Sequence, residues 1–299
     1  MRIDTMGRSS GFLLILFAFL LILSIITISF VYRETQVFDG HRAFEYAKFQ
    51  VQLGPRILGS KAHETASKWI ISSLEKNKWE VVSQEAEITG VPIKNIIAKS
   101  GEGKPWIIIA THYDSRFFAD RDSSTQGRKL PVVGANDGAS SVAILLELAR
   151  ILPINTDHQI WLVFFDAEDN GNISGYDWIL GSKYFLAELE GKPDSVIILD
   201  MVGDKDLNIY MEQNSDPDLN SEIWAIASEL GYTQFIPAYK YNLIDDHIPF
   251  LDAGIRAIDV IDFDYPYWHT THDTLDKISA DSLAIVGNTI IKWLEKYPD

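Results

Sequence analysis

The sequence predicts an α/β fold. The expectation is a three-layer αβα arrangement around a mixed, largely parallel central sheet, preceded by one transmembrane helix. Three observations carry it. Fully apolar runs such as Trp106 to Ala110, Ile160 to Phe165 and Val196 to Leu199 end abruptly in polar or acidic residues. Such runs fit strands buried on both faces of a sheet. Segments with helical spacing of apolar residues alternate with them, which points to parallel strands linked by crossover helices. The third observation is the stretch from Gly11 to Tyr32, apolar apart from Ser24, Thr27 and Ser29. It matches the roughly 20 residues that cross a bilayer as a helix.

That stretch reads as an uncleaved signal anchor, with a cleaved signal as the alternative, because no small-x-small pattern follows it. Arg2 and Arg8 precede it against Asp4, and Arg33 and Glu34 cancel just after it. The slight positive-inside bias favours a cytoplasmic N-terminus and an extracytoplasmic body. The expected organisation is a tip and single-pass membrane anchor over residues 1–33, held in the bilayer through residues 11–32. A single catalytic domain then covers residues 34–299.

The chain carries 26 basic against 42 acidic residues, a net charge of −16. Three of the basic residues and one acid lie before residue 34, so the body is more acidic still. Such a surface repels phosphate backbones, so nucleic acid is not an expected partner. There is no cysteine. Disulfides and thiolate metal sites are excluded, and any metal must be held by His and carboxylate.

In chain order, Glu34 to Gly40 is a polar spacer. Arg42 to Leu53 has helical spacing at Ala43, Phe44, Ala47 and Val51. Gly54 to Ser60 breaks it and supplies Ser60 as a cap for a helix over Lys61 to Lys78. Strands follow at Glu80–Ile88, Ile93–Ala98 and Trp106–Thr111, the last running into His112 and Asp114. A charged, Ser- and Gly-rich loop of some twenty residues comes next, and loops of that length inside a domain are often functional. It closes at Gly134-Ala-Asn-Asp137 before a helix from Ser140 to Leu152. Asp137 there could cap the helix or serve as a ligand. The strand Ile160–Phe165 releases Asp166, Glu168 and Asp169 together. After a loop and a short helix at Gly181–Leu189, a further strand from Ser195 carries Asp200. Leu207 to Met211 is expected to pair beside that strand, and Leu219 to Gly231 is helical. Ile244 to Phe250 is a dense polar knot with Asp245, Asp246 and His247, leading into a short helix that Asp245 could cap. A last strand, Ile255–Ile261, precedes an aromatic loop with Tyr265, Trp268, His269, His272 and Asp273, and Ser279 to Lys296 closes the chain as a helix.

Strand ends of a doubly wound sheet converge on one edge. His112, Asp137, Glu168, Asp169 and Asp200 should therefore gather, with His269 added from a later loop. A His and carboxylate set without Cys suits catalytic zinc. On residue types and spacing alone, the chemistry is that of a metal-dependent hydrolase or transferase.

His112-Tyr-Asp-Ser115, Gly134-Ala-Asn-Asp137, Phe164-Phe-Asp-Ala-Glu-Asp169, Leu199-Asp-Met-Val-Gly203 and Asp246-His-Ile-Pro-Phe250 resemble the motif series of the co-catalytic zinc aminopeptidases, in order, from about Arg42 to the end. Arg42-Ala-Phe44, His112 to Phe117, the doubled Asp245-Asp246 and Trp268-His269-Thr270 look most similar to the glutaminyl-peptide cyclotransferases within that clan.

The resemblance implies a zinc aminopeptidase/phosphorylase-like fold and an activity on peptide or protein N-termini. In the cyclase pattern Asp137, Asp169 and His269 would hold one zinc. Glu168 would be the general acid/base, Asp200 and Asp245 a hydrogen-bond network beside it, and Trp268 and Tyr265 pocket walls. The product would be N-terminal pyroglutamate with release of ammonia. In the aminopeptidase pattern His112 and Asp200 would bind a second zinc with Asp137 bridging, and Glu168 would take its proton from an attacking water. Asp245 favours the cyclase, because aminopeptidases of the clan usually show a small hydroxyl residue there. Animal cyclases differ in a pocket Trp soon after the acid pair. The comparable place here is near Ile173, with Trp178 the nearest Trp, and the animal cysteine pair is replaced near Thr111 and Val142. A non-catalytic, membrane-anchored ectodomain is the third reading. Among the remaining residues, Asp166 is expected to fix a turn, His247 to be structural, and His272 and Asp273 to be exposed or to orient His269.

Overall fold

The computed structural model describes Phe17, residues 37–154 and residues 156–296. The expected transmembrane anchor over residues 11–32 falls outside the described residues, and no described helix is long and apolar enough to cross a membrane. The body that carries the predicted motifs begins at Phe38.

Six strands form the central sheet: β1 (Glu80–Ile88), β2 (Val91–Ser100), β3 (Trp106–His112), β4 (Gln159–Phe165), β5 (Ser195–Asp200) and β8 (Ala257–Ile261). Their order is β1-β2-β4-β3-β5-β8. β1 and β2 form an antiparallel hairpin, and β2 meets β4 antiparallel. From β4 onward, β4-β3-β5-β8 run parallel. The expectation of a mixed, largely parallel sheet is met, and the antiparallel hairpin forms one edge.

Helices cover both faces. α1 (Gly40–Leu53), α2 (Lys61–Lys76), α3 (Ala139–Ile151), α5 (Pro217–Glu229) and α7 (Ala280–Leu294) lie on one side. There Ala47, Leu74, Leu145, Ile223 and Val286 close on Ile107, Ile109, Leu162 and Ile197. The shorter α4 (Leu180–Ala187) and α6 (Ile248–Asp252) lie on the other side, where Phe185 and Phe250 pack on Ile108, Val163, Phe165 and Ile198. All seven residues of β3 are buried, so its side chains feed both layers by the period-2 alternation of a strand. Helix starts follow local rules. Asp39, Ser60, Asp216 and Ser279 each accept a backbone N–H at the first turn of their helix, which satisfies one of the four otherwise unpaired donors.

Two expectations need correction. Ile209–Met211 (β6) does not pair beside β5. It forms a separate two-stranded parallel sheet with β7 (Phe235–Tyr239). The partner strand escaped notice because it is five residues long and interrupted by Pro237. The last strand of the main sheet begins at Ala257 rather than Ile255.

The register sets the functional edge. His112 pairs with Phe165 across β3 and β4, and Asp200 pairs with Ile261 across β5 and β8. The chain therefore leaves all three inner strands at one level, and the acids that follow Phe165 emerge beside His112.

A candidate metal centre at the carboxyl edge of the sheet

Asp137 is the hub. Its two carboxylate oxygens face different histidines. His112 Nε2 lies 3.2 Å from Oδ1, and His269 Nε2 lies 3.8 Å from Oδ2. His112 Nε2 also lies 3.2 Å from Asp200 Oδ1, and His269 Nε2 lies 2.8 Å from Asp169 Oδ1. Two overlapping groups result, His112–Asp137–Asp200 and Asp137–Asp169–His269, each with its ligand atoms within 4.8 Å of one another. Every predicted ligand is therefore brought to one place, and all are buried.

The geometry of the second group fits a cation. Among the described residues, His269 Nε2 and Asp169 Oδ2 have no hydrogen-bond partner, and neither has Asp137 Oδ2. His269 Nε2 lies 2.8 Å from the other oxygen of the Asp169 carboxylate, Oδ1, and 3.8 Å from Asp137 Oδ2. Buried polar atoms left without partners cost free energy. Ligand atoms of Asp137, Asp169 and His269 within 4.8 Å of one another are the donor type that a zinc site requires.

The local backbone explains the convergence. Ala167, Met201 and His269 all adopt left-handed φ values, 55°, 47° and 56°. Non-glycine residues in that region carry strain, and such strain clusters at functional sites. Ala167 turns the chain so that Glu168 and Asp169 project into the centre, and Met201 does the same just past Asp200. Gly138 caps α3 at φ 93° without any side-chain cap. Asp137 is thus not consumed in capping. A Cβ at Gly138 would meet Asp114 O at 2.8 Å and His112 Cε1 at 3.2 Å, so this position must be glycine.

Buried polar side chains hold those turns. Asp114 accepts the backbone N–H groups of Glu168 and Asp169 at 3.1 and 3.3 Å, and Asn170 Nδ2 at 3.2 Å. Its Oδ1 is also 3.5 Å from His112 Nδ1. Asp166 fixes its own turn as expected, accepting from Ala167 N and Lys94 N at 2.9 Å each and meeting His63 Nε2 at 2.7 Å. Arg116 donates to the carbonyls of Asp169 and Gly171. Arg56, fully buried, donates to three carbonyls, those of Tyr113, Val133 and Gly134.

The aromatic loop behaves differently from expectation. His272 is exposed, but Asp273 is fully buried. It accepts from Asn136 N, Asp137 N and the Tyr265 hydroxyl at 2.8, 3.2 and 2.7 Å, so it braces the Asp137 loop rather than His269. Tyr265, expected as a pocket wall, is buried as the other half of that brace. The group nearest His269 Nδ1 is Asp120 Oδ1, at 3.4 Å. Trp268 keeps the expected place beside the centre, its ring centroid 4.0 Å from that of His269. Trp178 stacks near the same imidazole, at 6.1 Å and 13°, and the bare Cα of Gly171 leaves room for its indole.

Electrostatics follow from burying so many acids together. Burial works against a charge on His112, yet Asp114, Asp137 and Asp200 outweigh it and raise its pKa well above the usual range. Burial likewise opposes charge on His269, but Asp169, Asp120 and Asp137 lift it to about 9. Asp137 is held below its ordinary value because the His112 and His269 charges overcome its burial. Burial pushes Glu168 well above the carboxylate range, with Asp245, Asp169 and Asp246 adding repulsion. The same two causes raise Asp245 well above its ordinary value, its neighbours there being Asp200 and Asp246.

Asp245 is buried and, among the described residues, its carboxylate accepts only from its own neighbour Asp246 N, while the start of α6 has no side-chain cap. The capping role is therefore not the one it plays. His247 pairs with Glu212 at 3.1 Å, and Glu212 in turn accepts from Asn214 N, Ser215 N and Leu243 N. This is the structural role expected of His247.

Sequence reasoning assigned no role to Asp114 or Arg116, and it offered Asp273 only as exposed or as a partner of His269. The one available signal was that Asp114 ends the same strand run as His112. The others act through backbone contacts that only folding creates.

The model described as peptidase family M28 matches residues 95–294. A glutaminyl cyclase structure from Porphyromonas gingivalis superposes with a TM-score of 0.83 at 33% identity, covering 88% of this chain and 99% of that one. A structure described as a leucine aminopeptidase precursor, from Bacteroides thetaiotaomicron, superposes with a TM-score of 0.81, also at 33% identity, over 87% and 97% of the two chains. The glutaminyl-peptide cyclotransferase of Drosophila melanogaster is 26% identical over 274 residues, 78% of this chain and 75% of that protein. The two structures bear different activity names at equal identity, so similarity alone does not choose between the reactions.

Proposed function

The chain belongs to peptidase family M28, and from that premise we propose that it is a zinc-dependent glutaminyl cyclase acting on peptide N-termini. The observation that carries the choice is Asp245. It is a buried acid whose carboxyl is electrostatically tied to Asp200 and Glu168, and no helix-capping duty accounts for it.

Asp137, Asp169 and His269 would hold the ion. When bound, zinc supplies Lewis-acid polarisation of an amide carbonyl. The remaining chemistry falls to the chain. The α-amine of an N-terminal glutamine attacks its own side-chain carbonyl carbon, an intramolecular step helped by fixed orientation. Glu168 takes the proton that the amine sheds and returns it to the departing nitrogen, which leaves as ammonia. Burial and acidic neighbours raise the Glu168 pKa, which makes its carboxylate a stronger base than a free glutamate. Asp245 acts on the Glu168 carboxyl and Asp200 acts on Asp245, so a proton can be shared along that series of acids. Trp268 and Trp178, both packed near the His269 ring, exclude water from the reacting carbonyl.

A second reading rests on the His112–Asp137–Asp200 group. If it holds a second cation, the site suits aminopeptidase hydrolysis, with Glu168 taking a proton from water. Incubation of the protein with a Gln-initiated peptide separates the two readings. The cyclase yields ammonia and a blocked N-terminus, whereas release of free amino acids transfers the assignment to the aminopeptidase. Glu168→Gln should lower kcat about 10²- to 10⁴-fold while zinc remains bound, and full activity in that variant would overturn the mechanism.

We also propose that Gly11 to Tyr32 anchors the domain in a bilayer as a single pass, with the catalytic body extracytoplasmic. Extraction of the protein from membranes by alkaline carbonate would refute the anchor.

A further inference from the structure

One guanidinium stands beside the centre with no carboxylate partner among the described residues. Arg121 lies exposed on the loop after β3, and its backbone N–H donates to the carbonyl of His269 at 3.1 Å. Its guanidinium sits 4.0 Å over the Trp268 ring, and that ring lies 4.0 Å from the His269 imidazole. Among the described residues, that ring is the only partner of the Arg121 side chain. The adjacent acid, Asp120, is already held by Arg116 through Nε at 3.0 Å and Nη2 at 2.7 Å. Phe118 and Leu130 are exposed on the same loop.

We propose that Arg121 selects peptide substrates that carry an acidic side chain at their second or third position. The inference rests on the reading of the centre as one that takes peptide N-termini. With the first residue at the centre, an extended peptide advances about 3.3 Å per residue, so the next two side chains pass the Trp268 wall. A guanidinium presents a planar pair of donors matched to a carboxylate. Stacking on the indole fixes its plane in advance, so less side-chain freedom is lost on pairing. The protein as a whole carries a net charge of −16 and repels an acidic peptide at long range. The selection is therefore a contact effect.

The test uses the full chain with zinc and three peptides, Gln-Glu-Ala-Ala, Gln-Ala-Glu-Ala and Gln-Ala-Ala-Ala, plus lysine versions of the first two. The readout is kcat/KM from ammonia release. The native protein should favour at least one acidic peptide over the neutral one by about fivefold, the size of a partly exposed ion pair. Arg121→Ala should abolish the ratio and Arg121→Glu should reverse it toward the lysine peptides. Arg121→Lys should keep part of it, because the charge remains and the planar fork is lost. An equal ratio in native and Arg121→Ala protein would overturn the proposal. So would a uniform loss across all peptides, which marks a packing role. If the peptides release amino acids instead of ammonia, the cyclase reading falls, and the same ratio is read from that release. If neither reaction occurs, the ratio is read from calorimetric affinities of the same peptides for the zinc-loaded protein.

Discussion

Asp114→Asn tests whether the two working acids are held in place or merely adjacent. In the native protein one carboxylate oxygen accepts Glu168 N at 3.1 Å, and the other accepts Asp169 N at 3.3 Å and Asn170 Nδ2 at 3.2 Å. An asparagine keeps one accepting oxygen and presents an NH₂ at the other place. Whichever way the amide turns, at least one backbone N–H is left facing a donor in a fully buried site. Losing one or two charge-assisted bonds and stranding a buried N–H costs about 4 kcal/mol. At about 2 °C per kcal/mol for a domain of this size, Tm should fall by about 8 °C. Thermal melts of the chelated protein measure that loss apart from any metal effect. Zinc titration and kcat then report the displacement of Glu168 and Asp169, which should weaken both. A variant that melts within 2 °C of the native protein and keeps its kcat would refute the idea that Asp114 sets the Ala167 turn.

Further outcomes follow from the same geometry. Chelated protein should lose stability as pH rises from about 4 to 9. Burial holds Asp246, Asp262 and Asp273 near pKa 7 instead of 3.8, and acidic neighbours hold His269 near 9 instead of 6.5. Across that window the folded state keeps protons that the unfolded chain has shed, so stability falls with pH. Melts in EDTA at pH 5.5 and 8.5 check this, and a higher Tm at pH 8.5 would contradict it. Zinc should flatten the fall, because a cation takes the place of the protons on its ligands. Arg56→Met removes the buried cation beneath the acids and its bonds to three carbonyls. Chemical denaturation should show a loss of about 3–5 kcal/mol, and a loss below 1 kcal/mol would argue that the carbonyls find other partners. Trp178→Ala should raise KM about tenfold with zinc affinity little changed, if the indole walls the substrate pocket. An unchanged KM would remove it from the pocket.

Much of the fold was legible because buried strands and amphipathic helices write their period into the chain. Ile160 to Phe165 and Trp106 to Ala110 are unbroken apolar runs, and both are inner strands of the sheet. β6 was misplaced and β7 was missed because three and five residues are too few to show a period, and their pairing is decided by where α5 returns the chain. The ligand residues were legible for a related reason. Chemistry placed at strand ends follows directly after an apolar run, so Asp169 and Asp200 announce themselves. Asp273 did not, because nothing in Trp268 to Asp273 distinguishes an acid turned inward from one in water.

By itself the sequence determined the α/β class, the carboxylate and histidine donor set, and the nearness of Glu168 to Asp169. These are local properties, fixed by side-chain period and by residue type. Only the tertiary structure decided that Asp137 faces two histidines at once, that Asp245 is buried beside Asp200 instead of capping a helix, and that Asp114 and Asp273 clamp the turns. Those facts depend on the register of parallel strands and on backbone N–H groups brought together from residues more than fifty positions apart. A contact of that kind exists only once the sheet has closed, and no pattern along the chain encodes it.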